Sequence, residues 1–75
     1  MGKTCINIGD EIHKELLNQD LSVMWLSQQL GCNRTNIYNI FSRDSISTDL
    51  LLKISVALKK DFFALYSQQL KGQQL

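Results

Sequence analysis

A single chain of 75 residues with net charge +1 and 44% hydrophobic residues has the make-up of one small folded domain, not of a disordered or strongly basic tail. Such a length lies near the lower limit for an independent core, because about 60% or slightly more of the unfolded surface is buried at this size; dimerisation would help. The absence of an apolar run of roughly 20 residues and of a signal-peptide pattern predicts a cytoplasmic protein with no membrane association. Cys5 and Cys32 have neither metal-ligand spacing nor the density of a secreted scaffold, so both are expected as reduced thiols, Cys32 as a small buried residue in a turn.

Proline is absent, and strand-like alternation is confined to T-C-I-N-I near the start. The expected fold class is therefore all-α, a compact bundle of about five short helices in one domain covering residues 1–75, with residues 1–8 as a loose leader. The first helix is expected over residues 10–19, with Ile12 and Leu16 inward and Asp10 or Glu11 near its positive end. Ser22 is a natural N-cap for a second helix, in which Val23, Leu26 and Leu30 recur three and four apart up to Gly31. Trp25 sits beside that stripe and should be partly exposed. Only Gly31, Cys32 and Asn33 separate this helix from the next, which forces a sharp crossing within residues 22–42. Asn33 caps the third helix, and Ile37, Ile40 and Phe41 form its inward stripe. Ser47 or Thr48 should cap a fourth helix carrying Leu51, Ile54 and Leu58 and closed by Lys59 and Lys60. Asp61 would then cap a C-terminal helix within residues 61–71. The predicted core comprises Leu21, Leu26, Leu30, Ile37, Ile40, Leu51, Ile54, Leu58, Phe62 and Leu65.

The outward face of the third helix carries the chemistry. With about 100° per residue and Ile37, Ile40 and Phe41 inward, Thr35, Asn39 and Ser42 point most directly away from the core. Asn36, Tyr38 and Arg43 flank them, and Arg34 projects from the first turn. A solvated helix surface usually carries Glu and Lys, yet no acidic residue occurs between Asp20 and Asp44. Short amides, hydroxyls and arginines are the groups that hydrogen-bond base edges: Arg to guanine, Asn to adenine, and a Thr methyl against the thymine methyl. A polar face that merely lacks acids is the plainer alternative.

The runs S-V-M-W-L-S-Q-Q-L-G, C-N-R-T-N-I-Y-N-I-F and D-L-L-L-K-I-S-V-A-L together resemble the lambda-repressor-like (XRE-type) helix-turn-helix domains of bacterial and phage regulators, over roughly residues 8–65. The resemblance implies base contacts from Arg34, Thr35 and Asn39. It also implies backbone or peripheral contacts from Ser22, Asn33, Asn36, Tyr38, Ser42 and Arg43. Val23 stands where many members have glutamine, which leaves the phosphate contact at that helix start to backbone N–H groups and the Ser22 hydroxyl. Arg43 stands where many members have glycine, so the helix is expected to end through a left-handed Ser42 or Asp44.

Charge distribution matters more than its sum: from residue 21 to 43 the only charges are Arg34 and Arg43, while the acids lie at residues 10–20 and 44–61. Two arginines imply modest affinity per copy, which two linked copies would raise. Phe63, Tyr66 and Leu70 extend the apolar arc of the last helix beyond one core-facing stripe and are candidates for a homodimer interface. His13, the single histidine, is expected as a surface residue. With no triad, phosphate loop or carboxylate pair, no enzyme activity, metal, cofactor or small-molecule ligand is expected. The expected function is sequence-specific binding of double-stranded DNA in transcriptional regulation. The alternative is a helical protein-interaction module, an adaptor or antitoxin using Trp25, Tyr38, Phe63 and Tyr66.

Overall fold

The computed structural model of the chain describes residues 6–72, which form five α-helices and no strand. These are α1 (Ile8–Asn18), α2 (Val23–Leu30), α3 (Arg34–Phe41), α4 (Thr48–Leu58) and α5 (Phe63–Gly72). The first helix starts two residues earlier than its apolar pattern predicts, because the cap is Asn7: its side chain accepts the Asp10 N–H at 3.4 Å. Ile8 thereby passes from the expected leader into the fully buried core. Residues 1–5 of that leader, with Cys5, lie outside the described residues.

The other starts follow local chemistry. Ser22 Oγ accepts the Trp25 N–H at 3.0 Å, Asn33 Oδ1 accepts that of Asn36 at 3.0 Å, and Ser47 Oγ accepts that of Leu50 at 3.2 Å. Asp61 holds the start of α5 through its backbone carbonyl, which accepts the Ala64 N–H at 3.2 Å, and the helix begins one residue after Phe62.

Three helices end in the same left-handed hydrogen-bonded turn. After α2, Gly31 has φ 70°, its N–H reaches the Gln28 carbonyl, and the Cys32 N–H reaches that of Ser27 at 2.9 Å. Asp20 (φ 60°) and Lys59 (φ 54°) close α1 and α4 in the same way, with Leu21 N–H to Leu16 and Lys60 N–H to Ser55. The exception is α3. Ser42 has φ −87° and ψ −2°, and Asp44 is not left-handed either, contrary to the sequence expectation. Its terminal carbonyls are satisfied differently: the Ser42 hydroxyl donates to Asn39 at 2.8 Å, and the Gly9 N–H of α1 donates to Arg43 at 3.0 Å. The end of α3 is thus closed by another helix.

Ile8, Ile12 and Leu16 of α1 meet Leu26, Ile37, Ile40, Leu51, Ile54, Leu58 and Phe62 in one buried cluster. Leu21, Leu30 and Leu65, expected in the core, are only half-buried, since Leu21 precedes α2, Leu30 is its last residue and α5 fully buries none of its side chains. Trp25 is half-buried as its position suggested, and Cys32 is half-buried where full burial was expected, lying at the edge of the α2–α3 turn.

The Gly31 turn supplies a direct check. A Cβ there would meet no atom within 4 Å, so the obstacle to substitution is the positive φ alone. Gly31→Val should lower stability by about 1–2 kcal/mol and misalign α3. Unfolding of that variant at the parent's temperature would contradict the left-handed assignment.

Candidate nucleic-acid interface

Ser22, Asn33, Arg34, Thr35, Asn36, Tyr38, Asn39, Ser42 and Arg43 are all exposed in the structure, while Ile37 and Ile40 on the opposite side of α3 are buried. A helix this short cannot hold its own orientation, so its rigidity comes from what lies behind it. Behind it lie the core, the Gly9 contact and a run of three rings. His13 of α1 stacks on Phe41, with centroids 4.3 Å apart and planes 13° from parallel. Phe41 in turn meets the edge of Tyr38 at 6.1 Å and 83°. His13 is therefore half-buried and tied to α3, not a free surface residue. Periodicity placed it beside the apolar stripe of α1 but contained nothing that linked it to Phe41.

Hydrogen bonding sorts the polar groups. Asn33 and Ser22 spend acceptor oxygens on their caps, which leaves the Asn33 amide hydrogens and the Ser22 hydroxyl proton as donors toward an anion. The Ser42 hydroxyl proton is engaged with the Asn39 carbonyl, so a phosphate contact from Ser42 would cost that bond. No side-chain hydrogen bond engages Arg34, Thr35 or the side chain of Asn39. The ion pairs among the described residues, Lys14–Asp10 at 3.7 Å and Lys60–Glu15 at 3.9 Å, leave Arg34 and Arg43 without a carboxylate. Such unpaired guanidinium groups can fork onto phosphate or guanine without first breaking a salt bridge.

The expected dimer residues differ among themselves. Phe63 and Tyr66 are half-buried and line a cleft with Ile46, Thr48 and Leu51, and burial pushes the Tyr66 phenol above its ordinary value. Leu70 is exposed at 52%. An apolar strip on α4, where Leu52 is 55% and Val56 68% exposed beside Leu30 and Ala57, was not among the sequence expectations. Its signal was available: the apolar residues of α4 run through Leu50, Leu52, Val56 and Ala57 and so extend past the core-facing side. Among the described residues no helix is long and apolar enough to cross a membrane. No protein-family model, curated protein or solved structure matches the chain.

Proposed function

We infer that the chain is a sequence-specific transcriptional regulator of the XRE type, lying in the cytoplasm and reading double-stranded DNA by placing α3 in the major groove. The observation that carries this reading is the acid-free, exposed face of α3, on which Arg34, Thr35 and Asn39 are free of internal partners and backed by a packed core. Two copies related by a two-fold axis would set their recognition helices roughly 34 Å apart, one turn of duplex. The exposed apolar side chains include Leu70 on α5 and Leu52 and Val56 on α4, which such a pairing could cover. The latter two also favour a second reading, a protein-interaction module, in which the partner covers α4 and duplex DNA is not bound.

Titration of variants against matched and mismatched duplexes at two salt concentrations separates these readings. Arg34→Ala should cost about 1–3 kcal/mol on the best site and relax preference for a guanine, and Asn39→Ala should do the same at another base. Arg43→Ala should weaken all duplexes alike and flatten the salt dependence by up to about one unit. Uniform loss from Arg34→Ala would move that residue from base to backbone contact, and a parent protein indifferent to duplex DNA would leave the interaction module.

A further inference from the structure

Beside α3 lies a cleft of about 260 Å³ with a floor of Leu30, Ile40 and Leu50 and a rim of Asn36, Arg43 and Lys53. Lys53 belongs to α4, outside the two helices to which the sequence assigned contacts. No carboxylate is among the residues that line the cleft, and neither Arg43 nor Lys53 is in an ion pair. Two cations brought to one rim without a counter-charge repel each other, and an anion between them removes that cost. The position specifies which anion. At about 100° per residue Asn36 and Ile40 form one flank of α3, adjacent to the outward Thr35 and Asn39, and Arg43, just past the helix end, lines the same cleft. A helix lying in the major groove has the sugar-phosphate backbone along its flanks, so a strand passing this side meets Asn36 of α3, Arg43 just after it and Lys53 of α4.

We propose that Arg43 and Lys53 together grip one backbone phosphate of the duplex read by α3, with the Asn36 amide as a further donor. The grip rests on the DNA reading above. Arg43 supplies a planar fork and Lys53 a compact charge from α4, so the pair fixes how far α3 enters the groove as well as adding attraction. It also gives α4 a direct part in binding.

The test measures the salt dependence of binding to a fluorophore-labelled duplex of mixed sequence for the parent, Lys53→Gln, Arg43→Gln, the double variant, Lys53→Arg and Lys71→Gln. Lys53 and Lys71 are both exposed, so neither substitution disturbs the core. Lys53→Gln should lower the salt slope by less than about one unit, because Arg43 still neutralises part of the shared phosphate. The double variant should lower it by about one unit, so that a fourfold rise in salt weakens the double variant about fourfold less than the parent. Lys53→Arg should retain the parent slope, Lys71→Gln should match the parent, and the double variant should lose less than the product of the single losses. A parent-like slope for the double variant, multiplicative losses, or an equal loss from Lys71→Gln would overturn the shared grip while the DNA reading stands. A parent that binds no duplex would overturn both.

Discussion

Gly9→Ala is expected to remove a large share of the protein's stability. A Cβ at this position would stand 2.5 Å from the Arg43 carbonyl oxygen and 2.6 Å from that of Phe41, and closer still to that of Ile40. None of these atoms is the free end of a flexible side chain; all are backbone at the close of α3, so one helix must move from the other. The displacement also breaks the Gly9 N–H bond to Arg43, the contact that closes α3 in place of a left-handed residue. Overpacking with a lost backbone hydrogen bond should cost about 3 kcal/mol or more. A domain of this size has in total only about 4–11 kcal/mol. Urea unfolding followed by circular dichroism checks this, and a midpoint equal to that of the parent would mean that α1 and α3 are not in such close contact. If α3 reads DNA as proposed, the variant should also bind duplex poorly at temperatures where it remains folded, because the Gly9 contact sets the end of α3.

Phe62→Ala is expected to have the other large effect, about 3–5 kcal/mol, as the truncation of a fully buried aromatic side chain. Phe62 lies between α4 and α5, with the Lys60 ammonium 5.9 Å from its ring centroid. Since α5 contributes no fully buried residue of its own, Phe62 is the anchor that commits the chain to turn back there. Its removal should therefore release α5 as well as open a cavity. The expected signature is a lower unfolding temperature together with early loss of amide protection over Phe63–Gly72. Uniform protection up to global unfolding would instead show that Phe63 and Tyr66 hold α5 without it.

These two positions show where the sequence was legible. Ser22, Asn33 and Ser47 act on N–H groups three residues away, and Gly31 needs only its own φ, so local chemistry located three helix starts and the turn between α2 and α3. Asn7 was equally local but was hidden by the acids at Asp10 and Glu11, which belong to the first turn and not to the cap. The left-handed Asp20 and Lys59 were not legible, because residues with a Cβ adopt that conformation only where the surrounding packing holds it. Gly9 against the end of α3, His13 on Phe41 and Lys53 beside Arg43 join residues from different helices, and no periodicity in either helix records its partner. The outward face of α3, in contrast, followed from one period and one inward stripe, and every side chain assigned to it is exposed.

Selection of bound duplexes from a random pool by the intact protein tests most directly whether the outward face of α3 reads base sequence. Enrichment of a motif with two-fold symmetry whose half-sites lie about one helical turn apart is expected, and its loss when Arg34 and Asn39 are both replaced by Ala. Recovery of a pool as random as the input, or of the same motif by the double variant, would contradict the proposed function.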